Sequence, residues 1–496
     1  MVPKLNKDVE DSLSYLTHDD WNASAIELAP IEESKQQINR HDEIELVHRL
    51  DKRLLLFAMF GNLVKTLDNS NLASAFISGM EEELNVTGLQ YNWMGTLFMV
   101  GYLSMQLPSN ILLSRIRPSR YLPALEAIWC VLTLLMACVQ SVEGVYLIRF
   151  ILGLAEAGFY PGIVFLLGTW YTKRELGKRL ALLSICGAFG SGLSGVVQAV
   201  VLKTMDGMFG VSGWRWMFVI DASVTVVLAC LGYTYLPDYP HNTEWLNEKE
   251  RDLATQRTNN QEGQDRNVSY SFKEKIRLLA KNKYLYPFVM SWAMIHTANG
   301  APQVLGIVAK KLGFDAVTAN LLTTPDTIIT MLAGLCIGFL SDKLRNRYGC
   351  IVVPAAVGLI GMWLPFPVLY IAFLITHAGL GSTSSIIMTW ASETISVNTE
   401  IRAMAIAIMN TSSSFMWTWT SLILWPVTDA PYYHKGFTVS VFLIILFIAM
   451  MSLIVWFQRS DGRVKRANSD DFTVQQMDTT AVPLLQAQEE ENFNKI

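Results

Sequence analysis

The chain has 496 residues, of which 51% are hydrophobic and 17% charged, with a mean hydropathy of +0.29 and a formal net charge of −4. Soluble proteins carry about 25% charged residues, so this composition excludes an ordinary soluble globule, and nothing in it resembles a strongly basic nucleic-acid face. Few charges among many long apolar runs point instead to an all-α polytopic membrane protein.

Residues 1–53 are polar and acidic and are read as an unstructured N-terminal tail. They lack the charged start, short apolar core and small-residue cleavage site of a secretory signal, so the first apolar helix is expected to serve as its own insertion signal. Twelve candidate spans follow, at about 54–76, 93–113, 121–141, 145–169, 179–203, 214–236, 284–309, 318–340, 349–365, 367–391, 403–426 and 436–458. Most hold about 20 residues, enough to cross a hydrocarbon core of about 30 Å. The ninth is short and meets the tenth at "LPFPV". The predicted organisation is a six-helix bundle over 54–236, a hydrophilic linker over 237–283 holding a short surface helix, a second bundle over 284–458, and a C-terminal tail over 459–496.

Loop charge sets the expected orientation. The connections after spans 2, 4, 8 and 12 read "SRIRPSR", "YTKRELGKR", "SDKLRNR" and "RSDGRVKR", whereas the one after span 1 carries Glu81, Glu82 and Glu83. Basic loops stay in the cytoplasm, which places both tails and the linker there. Glu81 to Glu83 are read as a solvated face. Asn85 opens a glycosylation sequon on the opposite side, close to the membrane. "NILLSRIRPS" (110–119) and "GFLSDKLRNR" (338–347) close spans 2 and 8 at equivalent places, a faint repeat that fits two six-helix halves.

An ionised side chain near mid-bilayer costs roughly 2.5–3.5 kcal/mol even on the lenient insertion scale, so charged residues inside spans mark candidate sites. Asp68 stands in "KTLDNSNLASAF" with Asn69 and Asn71, one turn after Lys65. Apolar sequence on both sides favours a buried acid over a polar helix end. Span 4 contains "RFILGLAEAGFYPG", where Arg149 and Glu156 are two helical turns apart and face nearly the same side, about 10 Å apart along the axis. Two readings are open: an arginine snorkelling to the outer surface and a glutamate packed on another helix, or a cation and an acid facing a wet cavity. In "MIHTANGAPQVLG" of span 7, Asn299, Gly300 and Pro302 predict a break in the helix, whose freed backbone groups must face protein or water. His296, Asn299 and Gln303 are candidate hydrogen-bonders there, a plain kink being the alternative. Tyr160, Gln198, His377, Trp390, Asn410 and Trp417 also lie within spans; each alone fits packing, and together they would line an aromatic cavity with few charges. Asp326 is read as a cap or lining residue without a function, and Asp342, Arg345 and Arg347 sit in a loop where charge costs little.

The six cysteines show no CxxC spacing and are read as small core residues, so no metal site is expected. No Walker A loop, HExxH, GxSxG or Rossmann fingerprint is present, so no enzyme activity, cofactor or ATP-driven pumping is expected.

The stretches "LDNSNLASAFISGMEEELNVTG", "QLPSNILLSRIRPSRYLPALE", "RFILGLAEAGFYPG", "GTWYTKRELGKR" and "LPDYPHNTEWL", in that order, resemble the anion:cation symporter branch of the major facilitator superfamily, notably its fungal allantoate and vitamin permeases. The resemblance spans roughly 54–458. It implies twelve transmembrane helices in two six-helix bundles that rock about a central site. It gives Arg149 the part of holding a substrate carboxylate, and Glu156 and Asp68 the part of carrying protons. The family usually has an arginine after the first-span aspartate. Here that residue is Asn69, which leaves Arg149 as the chief cation, Lys65 as an auxiliary, and a monocarboxylate as the expected substrate. Asn69, Asn71, Tyr160, His296, Asn299, Gln303, His377 and Asn410 complete the expected substrate site. Asp342, Arg345 and Arg347 match a latch that holds the outward-open state. The resulting expectation is a monomeric proton-coupled importer of a small acid of the nicotinate, pantothenate, biotin or allantoate type, in the plasma membrane or, second, an internal membrane. An efflux antiporter, filling inverted vesicles against a gradient, and a nutrient receptor, binding without accumulation, are the rival readings.

Overall fold

The computed structural model of the chain describes residues 40–113, 116–240, 242–243, 245–265, 271–300, 304–362, 368–395 and 399–461, and these contain helices and no strand. The expected tails beyond those limits, Gln303 and most of "LPFPV" lie outside the described residues.

In the first half, α1 (Arg40–Leu50) runs through a π-helical turn into α2 (Leu56–Ala75). Then come α3 (Gln90–Leu113), α4 (Pro118–Ala137), α5 (Val142–Glu156), α6 (Phe159–Trp170), α7 (Lys173–Met205) and α8 (Gly213–Tyr235). Local chemistry sets several starts. Ser141 caps α5 by accepting from the Gly144 N–H at 3.3 Å, and Thr172 with Glu175 forms a capping box on α7. Span 4 is interrupted between Glu156 and Phe159, so α5 and α6 together make one crossing of 29 residues.

The linker holds two helices, and they belong to different halves. In α9 (Glu248–Asp265), Ala254 joins a cluster with Leu46, Leu50 and Trp170, and Arg257 pairs with Glu43 and Glu175 at 2.9 Å each. In α10 (Phe272–Lys281), Leu279 packs instead with Leu285, Ile395 and Ile401. The chain therefore passes between halves in the few residues separating Asp265 from Phe272.

The second half comprises α11 (Leu285–Ala298), α12 (Leu305–Lys311), α13 (Ala316–Leu321), α14 (Thr323–Leu344), α15 (Arg347–Gly361), α16 (Leu369–Gly381), α17 (Ser384–Ile395), α18 (Thr399–Ile423) and α19 (His434–Asp461). Span 7 is broken between α11 and α12, where Asn299 and Gly300 foretell it. Seven stretches are long and apolar enough to cross a membrane by length and composition, matching expected spans 3, 4, 5, 6, 8, 10 and 12. The remaining five are helical too, but α2 is diluted by Lys65, Asp68, Asn69 and Asn71, span 7 is broken, and α15 has 15 residues.

The halves meet along two seams, α3 against α18 and α7 against α13 and α14. Both seams lie at the end remote from the linker, the far end. Asn92 donates to the Ser421 and Trp425 carbonyls at 2.8 and 2.9 Å and accepts from the Val427 N–H at 2.9 Å. Thr96 donates to the Thr418 carbonyl at 3.0 Å, Thr324 to the Gly192 carbonyl at 2.9 Å, and Asn320 to Ser78 Oγ at 2.9 Å. Gly195 meets the Asn320 carbonyl so closely that a Cβ there would overlap it. The acidic run expected to be a solvated face takes part as well. Glu82 pairs with Lys310 at 2.7 Å and Glu81 with Lys311 at 2.8 Å, across the halves, while Glu83 holds Ser212, Trp214 and Arg215 within its own. At the linker end the ion pairs Asp51–Arg179, Arg257–Glu175, Asp342–Arg347 and Arg347–Glu393 each stay within one half.

Candidate functional site

Helix α2 places Lys65, Asp68 and Asn69 on one face, because residues three and four apart are neighbours on a helix surface. Asn69 Nδ2 donates to Glu156 Oε2 at 2.9 Å, which joins the first span to the end of α5. Two turns back along α5, Arg149 is 4% exposed and its guanidinium stacks over the Phe98 ring, 4.4 Å from the centroid. Among the described residues Arg149 forms no ion pair, and its Nε has no hydrogen-bond partner. Asp68 and Glu156 are both within its electrostatic reach. Lys65, also buried, lies 5.2 Å from the Tyr102 ring and 5.9 Å from that of Tyr160.

Asp68 accepts from Trp129 Nε1 at 2.9 Å and from Thr133 Oγ1 at 3.4 Å. Asp221 of α8 is likewise buried, 3% exposed. Asp221 also accepts from Asn71 Nδ2 at 2.8 Å, and Asn71 Oδ1 accepts from Ser194 Oγ at 3.1 Å. Glu126 of α4 is a further buried acid, with Oε2 unpartnered. The sequence reading passed over Asp221 and Glu126, although each is an acid inside an apolar span and so carries the signal that singled out Asp68.

Structure thus gathers Asp68, Asn69, Asn71, Arg149 and Glu156 into one buried cluster in the first half, with Lys65 and Tyr160 beside it. The second-half candidates are dispersed. His296 lies over Trp292, ring centroids 4.1 Å apart, with Nδ1 2.9 Å from the Trp292 carbonyl. Asn299 ends α11 with Oδ1 buried and unpartnered, Asn410 is exposed on α18, and Trp390 packs edge-on against Phe288. Gln198 is fully buried on α7 with neither amide atom bonded. His377 Nδ1 sits 2.5 Å from Asp326 Oδ2. In the loop after α14, Arg347 bridges Asp342 at 2.6 Å and Glu393 at 2.8 Å, whereas Arg345 is exposed in a left-handed conformation that closes the helix.

A buried cation beside several acids, set among helices that cross an apolar layer, suits the capture of a small anion and of protons. The family model for the Major Facilitator Superfamily matches residues 58–421. The chain belongs to the major facilitator superfamily. Among superfamily relatives it is 31% identical over 467 residues to the MFS-type transporter cnsO of Penicillium expansum, covering 88% of this chain and 87% of that one. It is 25% identical over 449 residues to the pantothenate transporter liz1 of Schizosaccharomyces pombe, with 86% and 85% covered. A putative tartrate transporter of Agrobacterium vitis is 27% identical over 379 residues, with 75% and 86% covered. Among solved superfamily folds, an inward-facing bacterial homologue of the human lysosomal transporter Spinster aligns with a TM-score of 0.64 at 12% identity, covering 81% of this chain and 96% of that one. The D-xylose–proton symporter aligns with a TM-score of 0.61 at 16% identity, covering 80% and 96%. The superfamily fold implies twelve membrane-crossing helices, and the protein is a multi-pass membrane transporter.

Proposed function

We propose that this superfamily member imports a small organic monocarboxylate together with protons. The observation that carries the reading is Arg149: a guanidinium buried in the first half with no ion pair among the described residues, on the same helix as Glu156. The balance of buried charge points the same way. The first-half spans bury two cations, Lys65 and Arg149, against four acids, Asp68, Glu126, Glu156 and Asp221. An apolar layer tolerates that excess of carboxyl groups when some of them hold protons.

The cycle uses these groups in turn. With the far end open to the outside, Glu156 and Asp68 take up protons. Arg149 then holds the carboxylate, with Asn69, Asn71, Lys65 and Tyr160 around it. Closing the far-end seams opens the linker end, which the basic loops assign to the cytoplasm. Protons leave there, and the substrate follows. Asp342, Arg345 and Arg347 would latch that end in the opposite state. One proton balances one monovalent anion, and a second makes uptake electrogenic. Pantothenate and tartrate, named for two relatives, are both carboxylates, so pantothenate, nicotinate, biotin and allantoate head the candidates.

The test is uptake of a radiolabelled panel of these acids by cells lacking the gene, with and without the protein, at acidic and neutral external pH. At least one acid is expected to accumulate several-fold faster at acidic pH, and Glu156→Gln to abolish accumulation. Uptake that ignores external pH would remove proton coupling.

A further inference from the structure

The linker helix seated on the second half, α10, turns a row of positive charge outward. Its sequence, FKEKIRLLAK, carries four basic residues and one acid. Lys273, Arg277 and Lys281 recur every four residues, so they form one row along the helix, and all three are exposed. Among the described residues none of the three forms an ion pair. Glu274, the one acid, is turned back to the helix start, where it accepts from the Ser271 N–H at 2.9 Å in a capping box.

One side of the helix is packed and its flank is not. Leu279 is buried against Leu285, Ile395 and Ile401, while Ile276, three residues before it, is 46% exposed. Ile276 lies between the packed stripe and the basic row, and Ala280, one turn on, is exposed beside it. An apolar strip bordered by lysine and arginine is the pattern of a helix lying in a membrane interface. Its apolar side chains enter the acyl boundary and its cations stay among the headgroups.

Neighbouring aromatics fix the depth of α10. Tyr286, in the first turn of α11, is exposed and donates its hydroxyl to the Ala280 carbonyl at 2.7 Å. Trp456, also exposed, stands near the end of α19, where Asp461 holds Lys283 at 2.5 Å and the Tyr284 hydroxyl at 2.6 Å. Exposed tyrosine and tryptophan at the ends of crossing helices mark the membrane interface, which sets the end of α10 at headgroup level. Three acids at this end of the second half are already engaged, Asp342 and Glu393 by Arg347 and Asp461 by Lys283.

We propose that α10 docks on acidic phospholipid headgroups of the membrane surface at the linker end. Lys273, Arg277 and Lys281 are the headgroup contacts, and Ile276 is the apolar anchor. Charge complementarity selects the lipid. Every phospholipid has a phosphate, but only an acidic one carries the net negative charge that three adjacent cations lack. Each basic residue near an acidic leaflet strengthens attachment by about fivefold. The docking rests on the transporter fold and not on the substrate or the buried acids.

It is tested on the full chain in liposomes of phosphatidylcholine with a minor fraction of phosphatidylserine. A bimane label is placed at Ala280→Cys, in a background cleared of native cysteines. Bromine, which quenches the label on contact, is carried by the acyl chains of one lipid or of the other. Quenching by phosphatidylserine is expected to exceed its share of the bilayer several-fold, and to fall as salt is raised. Lys273→Gln with Arg277→Gln and Lys281→Gln should bring it down to that share. Lys203→Gln with Lys435→Gln, two exposed cations of the far end, should leave the enrichment unchanged. Ile276→Asp should lower quenching by both lipids. Quenching at the bulk share in the wild type, enrichment that survives the triple substitution, or quenching untouched by Ile276→Asp overturns the proposal. Enrichment that appears only once the acidic run Glu489 to Glu491 is removed assigns the basic row to the C-terminal tail and overturns it as well. Failure of carboxylate uptake would leave these readouts unchanged and would bear on the transport reading alone.

Discussion

Arg149 gains its reach from what it lacks. A guanidinium with a resident carboxylate would be neutralised in place, whereas this one is held by the Phe98 face, and the proposed reading gives its planar donors to a ligand. Arg149→Lys should therefore raise KM for the transported acid about tenfold or more while leaving the yield of folded protein unchanged, because an ammonium cannot reproduce the two-pronged contact. Asp221→Asn tests whether this buried acid takes part in proton coupling. It keeps the shape of the site and removes one titratable member, so the steepness of uptake against external pH should fall, as read from initial rates over a pH series. The reason Asp221 and Glu126 escape a reading of the sequence is depth. Each is the ninth residue of its helix, about 12 Å from the end, and sequence does not reveal how tilt and packing convert that distance into burial. Glu156 stands midway along its 29-residue crossing and is legible without coordinates. The partnership of Asp326 with His377 is not legible at all, since it joins residues 51 apart on different helices.

Helices in this fold approach one another where side chains are missing. Gly153 of α5 faces the Phe98 carbonyl and Gly101 of α3 faces the Phe150 carbonyl, a reciprocal contact within one half that a Cβ on either side would overlap. Gly153→Val should destabilise the first half by about 1–3 kcal/mol, seen as a lowered Tm and loss of monodisperse protein in detergent. Breaks were easier to foresee than contacts. Asn299 and Gly300 announce the end of α11 because their backbone preferences are local. The split of the linker, with α9 on one half and α10 on the other, depends on which apolar face each helix finds, and the linker sequence alone reads only as hydrophilic.

At the scale of the whole molecule, the acidic run after the first span acts as a clasp between halves. Partial burial pushes the Glu82 carboxyl up, but Lys310 and Lys311 outweigh that and hold it below its ordinary value. A carboxyl lowered in the closed form favours closure above its ordinary pKa, and that contribution fades only as pH falls through the lowered value. Mild external acidity should thus leave the clasp intact, whereas high salt weakens it. Reversing both lysines (Lys310→Glu with Lys311→Glu) should speed modification of Ser78→Cys by a membrane-impermeant thiol reagent several-fold, and adding Glu81→Lys with Glu82→Lys should restore protection. The succession of apolar helices was readable from span spacing. Which end is shut was not, because it depends on pairings between residues more than 200 positions apart.

The short passage between Asp265 and Phe272 carries a consequence of its own. Since α9 is clamped to one half through Arg257 and α10 is seated on the other through Leu279, those seven steps of chain act as a leash. Fully stretched they reach about 25 Å, and this tether sets a ceiling on how far its two anchoring helices can swing apart while the doorway beside them is ajar.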